Sequence, residues 1–571
     1  MKRISIILAA AALLPLSLGA QNMYDAMEFS ANNYYGTART MALGNAVTAV
    51  GGDLGTIGIN PAGSAVSGYG QFTVSPGLSI SSVGSAFSPV GETQYGSPVQ
   101  TSRTKFTLPN IGLSINMQTG AGSGLKSVTF AVASNRTQSF NYGYTAYGTN
   151  SSTSAFAELA SAAYGCSSSD LDDYNSYYDS SASWDVITGY RSNLFSGLGG
   201  NQYAGNSEFV PEGNRYHYVP GDLSQQREVR RWGSKNDLIM NMGFNFNDNF
   251  FVGVNIGLPS ATYSYGEYYT EAAVNPDKFQ TTFSQADGST LTTNWCSGST
   301  DYVYEAKISG IYAKAGFIWL PTSSLRVGAA IQSPTAMTIT ETWNYVAESV
   351  FSDNRVGGSA ESPWGDYTYC LRTPYIIDAG LAYTIGPWGF VSVDYELSDY
   401  SVMRFSDVYS DSHSHDTFLD LNEVNGLFCG LQHSVRVGAE ARLTPAFSLR
   451  AGYSMTTCPE RHYTDNTGAD VNADVYLADF DSYHSKVKTL GSAQYYPDRS
   501  SSVSLGFGYS SSGSFFADFA LRCNLLPDQV DMAYYDYDNY NAAGVLVNAL
   551  SPRIYNTRKL WDATLTFGWR F

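Results

Sequence analysis

Carboxylates and guanidinium groups recur in the second half of the chain: Asp378, Asp394 and Glu396, then Arg436, Glu440, Arg442 and Arg450. Acids and bases at close spacing can relay protons in an active site. These sit inside runs that alternate apolar and polar residues, and no nucleophile, base and orienting group stand together as covalent catalysis needs. No glycine-rich phosphate loop leads into a helix. The charges therefore read as a ladder along one polar face, and no enzyme is expected. The stretch "DSHSHD" sets His413 and His415 between Asp411 and Asp416 and could bind Zn²⁺ or Cu²⁺. A solvated loop fits it better. The acidic runs "SSDLDDYNSYYD" and "DQVDMAYYDYDNY" lack EF-hand spacing, so neither a metal nor a cofactor is expected.

A polar face of this kind needs an element whose other face is apolar. In the last segment Trp561, Ala563, Leu565, Phe567, Trp569 and Phe571 alternate with Asp562, Thr564, Thr566, Gly568 and Arg570. The period of two is that of a strand. It recurs from His433 to Leu443, from Leu238 to Phe246, from Phe250 to Leu258 and from Val503 to Tyr509. One face towards lipid and one towards a lumen is the pattern of a membrane barrel. Composition agrees: 43 Tyr, 29 Phe and 55 Gly accompany only 14% charged residues, against about 25% in a soluble domain. No later stretch reaches the roughly 20 apolar residues of a spanning helix. A net charge of −18 argues against nucleic acid as a partner.

Strands are expected near 71–82, 101–118, 125–142, 235–247, 249–268, 300–320, 323–345, 367–386, 388–408, 430–444, 446–458, 500–511, 513–527 and 556–571. Residues 103–110, with Pro109, break the alternation as a bulge would. The links alternate short and long throughout, the longest being about 143–234. Short periplasmic turns and long external loops produce that alternation. The expected fold is all-β: a 14-stranded antiparallel transmembrane β-barrel, with both termini on the periplasmic side. Cys166, Cys296, Cys370, Cys429, Cys458 and Cys523 then fall in external loops or at external strand ends, where up to three disulfides could form.

The first residues have the layout of a secretory signal: basic Lys2 and Arg3, an apolar run from Ile4 to Leu18, and Leu18-Gly19-Ala20 as a cleavage site. The chain thus divides into a signal peptide at 1–20, a segment at 21–70 that precedes the first strand and a barrel at 71–571, in the outer membrane of a bacterium. Within the second part, "GNAVTAVGGDLGTIGINPAGSA" is too glycine-rich for a helix and too interrupted for a strand. Backbone of that kind at membrane depth must be enclosed by protein.

The longer stretch "TARTMALGNAVTAVGGDLGTIGINPAGSA" resembles the N-terminal plug of the FadL/TodX (OmpP1) family of outer-membrane transporters. Gly44, Asn45, Ala46, Asp53, Asn60, Pro61 and Ala62 match the family pattern of a small-residue segment, an aspartate and an Asn-Pro-Ala motif. The resemblance implies a 14-strand barrel with this hatch inside. It also implies passive uptake of hydrophobic small molecules, long-chain fatty acid-like or aromatic, gated by the hatch and with lateral exit into the membrane. A hydrophobic ligand and the surrounding lipid and lipopolysaccharide are the partners so implied. FadL-like barrels that serve as docking scaffolds for secretion or surface proteins, and relatives linked to haem uptake, are the alternatives. The terminal Phe571 resembles the signal by which barrel assembly machinery recognises outer-membrane proteins, and a monomer is expected.

Two further sites are expected. In the long external loop "TSAFAELASAAY" reads as a helix with Thr153 as N-cap, and Phe156, Leu159 and Ala163 could form one side of an apolar groove. In the third strand the polar Ser134, Asn135, Arg136 and Thr137 interrupt an apolar run. They are the expected site of any lateral opening.

Overall fold

Alternating sequence becomes fourteen antiparallel strands. They are β1 (Gln71–Ser88), β2 (Val99–Gln118), β3 (Leu125–Ser139, continued by Tyr142–Asn150), β4 (Leu223–Phe246), β5 (Phe250–Ala273) and β6 (Thr290–Trp319). Next come β7 (Leu325–Gln332 and Ala336–Phe351), β8 (Gly365–Arg372 and Ile376–Thr384) and β9 (Gly389–Asp399 and Arg404–Asp407). The circuit continues through β10 (Leu431–Arg442), β11 (Phe447–Thr457), β12 (Arg499–Ser510), β13 (Phe515–Leu525) and β14 (Arg553–Arg570). Breaks in β7 and β8 carry Pro334 and Pro374, which cannot donate to a ladder. This computed structural model describes residues 22–571 apart from 93, 121, 178–181, 212–215, 285–288, 409–417, 466, 479–489 and 542–543. The expected export signal and the His413–His415 pair lie outside the described residues.

The sheet closes because β1 pairs with β2 on one side and with β14 on the other, from Gln71↔Arg570 to Ser88↔Arg553. Gly70 and Phe571 exchange two backbone hydrogen bonds of 3.0 Å where the ends meet. Closure removes the unpaired edges that lipid cannot satisfy. The β1–β2 register shifts between Ser75↔Asn110 and Gly77↔Thr107. This is the bulge expected around Pro109.

Burial is inverted relative to a soluble protein. Leu78, Leu113, Val132, Met240, Ile256 and Leu505 are among many apolar side chains exposed on the outer face. Thr73, Asn110, Thr129, Asn241, Ser504 and Thr566 are buried on the inner face. An apolar outside and a polar inside make this the wall of a membrane-spanning barrel.

Several strands run further outwards than the sequence indicates. β4 begins at Leu223 and β6 at Thr290, and β3 resumes at Tyr142–Asn150. The link expected at 143–234 therefore shrinks to 151–222. Beyond the lipid band the outer face need not be apolar, so the alternation fades before the ladder does. The link folds into α3 (Ala155–Ala162), α4 (Ser168–Asp172), α5 (Trp184–Arg191) and a hairpin, Phe195–Gly199 with Gln202–Gly205. Ser154, not Thr153, caps α3: its Oγ accepts from Phe156 N at 3.1 Å.

The disulfide expectation is corrected. Cys296, Cys370, Cys429, Cys458 and Cys523 form no disulfides. Cys296 lies in β6, not in a loop, and Cys370 and Cys523 stand on β8 and β13, so wall strands hold them apart.

Candidate functional site

Residues 22–70 fill the lumen. Two short helices, α1 (Met23–Ser30) and α2 (Ala38–Ala42), are followed by two 3₁₀ turns, Thr56–Gly58 and Pro61–Val66. Apart from exposed Tyr24, Asn33 and Gly68 and some half-buried positions the segment is buried. Each residue of the quoted motif has a structural task. Gly44 and Asn45 both adopt left-handed backbone, φ 62° and 61°, and together reverse the chain. A Cβ on Gly44 would lie 2.8 Å from Tyr453 N of β11, and one on the facing Gly452 would lie 2.1 Å from Gly44 N. Two glycines therefore meet where backbone touches backbone. Asn45 Nδ2 donates to Tyr34 O at 2.7 Å, and Ala46 O accepts from Ser392 Oγ at 2.6 Å. Asp53 Oδ1 accepts from Thr37 Oγ1 (2.6 Å) and Gly55 N (2.8 Å), tying two turns of the plug together.

Asn60 caps the turn that Pro61 opens, with Ala62 N donating to its Oδ1 at 3.1 Å. Proline at the first helical position has no N–H to leave unpaired. The Asn60 amide nitrogen donates to Thr48 O at 2.7 Å and to Phe317 O of β6 at 3.0 Å. One side chain thus pins the plug to itself and to the wall.

The wall reciprocates with inward donors that the sequence analysis did not single out as plug contacts. Asn241 Nδ2 donates to Pro61 O (2.9 Å), Asn255 Nδ2 to Ile57 O (2.7 Å), Lys314 Nζ to Gly58 O (3.1 Å) and Arg326 to Val50 O (2.9 Å). Irregular backbone leaves carbonyls unpaired, and these long polar side chains satisfy them. Their inward parity within the strands was the available signal.

The expected charge ladder lies in the same layer. Lys314 pairs with Asp378 at 3.0 Å, Arg436 with Glu396 at 2.7 Å, and Glu440 with both Arg450 (2.8 Å) and Arg39 of the plug (3.1 Å). Asp394 accepts from Thr48 N at 2.6 Å. Arg442 departs from the expectation: it is exposed at the strand end and approaches Glu440 only to 4.0 Å.

Ser134–Thr137 lie where the wall is incomplete. The β2–β3 ladder ends at Asn110↔Asn135, whereas β2 continues along β1 as far as Val99↔Ser85. Further out, β2 and β3 meet through side chains, with Asn141 Nδ2 donating to Arg103 O (3.4 Å) and Thr145 N to Thr101 Oγ1 (3.3 Å). The plug takes the vacant edge: Asn33 N donates to Thr137 O (2.7 Å) and Tyr35 N to Arg136 O (2.9 Å). The bend in the facing β4 falls at Gly233, whose φ of 125° suits glycine. Asn135, Arg136 and Thr137 are buried.

Phe156, Leu159 and Ala163 do not line an open groove. All three are buried, and the Phe156 ring meets Trp295 at 5.9 Å and Tyr269 at 6.3 Å. The helix packs onto the outer ends of β5 and β6. Sequence spacing marked the correct face of α3 but not what covers it.

A closed antiparallel barrel, apolar outside, polar inside and filled by its own N-terminal segment, defines an outer-membrane barrel of the plugged class. No protein-family model matches the chain, and no curated protein does either. Among solved structures it is similar to a Pseudomonas aeruginosa FadL homologue: 11% identity, 94% of this chain and 98% of that one, TM-score 0.45. It is similar also to the P. putida toluene transporter TodX, at 10% identity, with 94% and 98% covered and a TM-score of 0.44. The Ralstonia pickettii toluene transporter TbuX gives 13% identity, 94% and 99% covered, and a TM-score of 0.41. These likenesses are loose. The barrel and its filled lumen rest on the strand pairings and hydrogen bonds themselves.

Proposed function

We propose that this protein carries hydrophobic small molecules passively across the bacterial outer membrane, gated by the N-terminal plug and with lateral exit between β2 and β3. The observation that carries this reading is the seam beyond Asn110↔Asn135, where plug residues and not a neighbouring strand occupy the edge of β3. Straight passage would take an apolar solute through the buried charges around Asp378, Glu396 and Arg436, which offer it no favourable contact. Exit through the seam leads to hydrocarbon, where such a solute is stable. Exposed Phe106 of β2 flanks the seam on the lipid side. The match of Gly44, Asn45, Ala46, Asp53, Asn60, Pro61 and Ala62 to the FadL/TodX plug pattern supports the same reading.

The test is uptake of labelled oleate and of toluene by cells lacking their own channel, with wild-type protein or with Ser134 and Arg136 both changed to alanine. Wild-type uptake above the empty strain, altered by the double variant, is expected. Uptake equal to the empty strain, together with a stable protein partner in pull-downs, would overturn the passage reading in favour of a docking scaffold.

A further inference from the structure

Plug and wall do not touch everywhere. Beside the seam they leave a small polar cavity with room for about one water-sized particle. Asn45 and Gly58 of the plug and Asn135, Arg136, Asp237 and Tyr312 of the wall are among the residues that line it. It lies where the β2–β3 ladder ends, at Asn110↔Asn135.

Arg136 brings a charge to this cavity without a counter-charge. The residue is 5% exposed, and its Nε and Nη1 have no hydrogen-bond partner. Asp562, an acid whose field reaches it, is taken by Arg522 at 3.2 Å. Asp237, on the cavity wall, has both oxygens engaged: Oδ1 accepts from Thr137 Oγ1 at 3.1 Å and Oδ2 from the Tyr312 hydroxyl at 2.9 Å. Lys235 offsets its charge, and Lys105 adds a further positive charge in reach of Arg136. The Tyr35 ring lies 5.9 Å from the guanidinium carbon, the outer limit of a cation–π contact.

A second donor stands beside it. Asn135 is 4% exposed, and its Oδ1 accepts from Asn110 Nδ2 at 2.6 Å. That bond fixes the amide and leaves Nδ2 without a partner. The unpartnered donors on the cavity, Arg136 Nε, Arg136 Nη1 and Asn135 Nδ2, outnumber the unpartnered acceptor Asn45 Oδ1. Buried donors left unmade cost their full desolvation, and a buried unpaired charge costs more. A water molecule would serve the donors but leave the charge. A monatomic anion serves both, and the cavity is too small for a carboxylate.

We propose that this cavity is a halide site, in which one chloride ion held by Arg136 and Asn135 Nδ2 completes the contact between plug and seam. Tyr35 N donates to Arg136 O at 2.9 Å, so an ion that steadies Arg136 also steadies the plug against the edge of β3. The inference goes beyond the passage reading and does not depend on which solute crosses.

The test uses the full chain in a non-ionic detergent, with sodium chloride, bromide and gluconate at equal ionic strength. The wild-type melting midpoint should rise with chloride or bromide and not with gluconate, as binding to the folded state alone requires. Hydrogen exchange at the Tyr35 amide should slow in the same series. Asn135→Asp keeps the bond from Asn110 and supplies the missing negative charge. Its midpoint in gluconate should reach that of the wild type in chloride, with the halide response lost. Arg136→Met removes the charge itself and should lose the response as well. Crystals grown in bromide should show anomalous scattering beside Arg136 and Asn135. A wild type equally stable in chloride and gluconate, a halide response that survives in both variants, or a cavity that holds only water in bromide overturns the proposal. None of these readouts involves uptake, so the passage reading and the halide site fail separately.

Discussion

The inner and outer halves of the lumen hold the same N-terminal segment by different physics. In the inner half, Arg39 and Asn60 bond to Glu440 and Phe317 of the wall at 3.1 and 3.0 Å, and Asp53 ties the plug to itself through Thr37 at 2.6 Å, each with a defined partner. In the outer half the apolar face of α1 packs against an apolar and aromatic cluster, while Tyr24 and Glu28 on its other faces and Lys235 at its end make polar contacts. Directional bonds fix register and leave a costly orphan when one partner goes. Apolar contact is non-directional and can be replaced by any solute of suitable shape.

The largest expected effect breaks the inner half. Glu440→Ala would take the shared acid from half-buried Arg39 and from buried Arg450, which keeps Asp518, a loss of about 3 kcal/mol. Guanidinium unfolding in lipid vesicles would register it, and entry of a small hydrophilic antibiotic should rise as the plug loosens. Unchanged stability would show that the charges do not hold the plug. Asn60→Ala should follow at about 1–3 kcal/mol, since Thr48 O and Phe317 O lose a donor. Hydrogen exchange across Thr48–Gly58 would report it, and no acceleration there would remove Asn60 from its pinning role.

Ile339→Val probes the outer half and should cost only about 0.5–1.5 kcal/mol, with no rise in antibiotic entry. A leak from this variant would erase the distinction between the halves. The smallest effect lies in the external cap, away from both. Burial, with Asp185 nearby, pushes the Glu158 carboxyl from 4.5 up to about 8. The folded cap thus binds a proton that the unfolded loop releases, so its stability is fully present below about pH 4.5 and lost as pH rises towards 8. Protease resistance of residues 151–222 should fall across that window in the wild type and fall less in Glu158→Gln. A wild-type profile that does not change with pH would contradict the shift.

Much of the wall was legible from period-two alternation, because lipid outside and polar lumen inside impose opposite demands on successive residues. The outer ends of β4 and β6 escaped, since above the lipid band that demand lapses. The stretch from Gly44 to Ala62 was legible as something enclosed. Its wall partners, Lys314, Asn255 and Arg326, looked like ordinary inward polar positions until the carbonyls opposite them were located. Phe156, Leu159 and Ala163 were legible as an apolar face, but a helix face does not announce whether protein or ligand covers it. Ser134–Thr137 were legible only as an irregularity.

The sequence by itself determined strand number, the closed antiparallel wall and which faces meet lipid, because those follow from local alternation and from the cost of unpaired backbone in hydrocarbon. Tertiary structure alone decided that the β2–β3 ladder stops at Asn135, that Asn33 and Tyr35 take the vacant edge, and that Phe29 sits between Phe140 and Tyr263. The contacts made by the N-terminal segment join residues about 100 or more positions apart, and no local preference carries information over that distance.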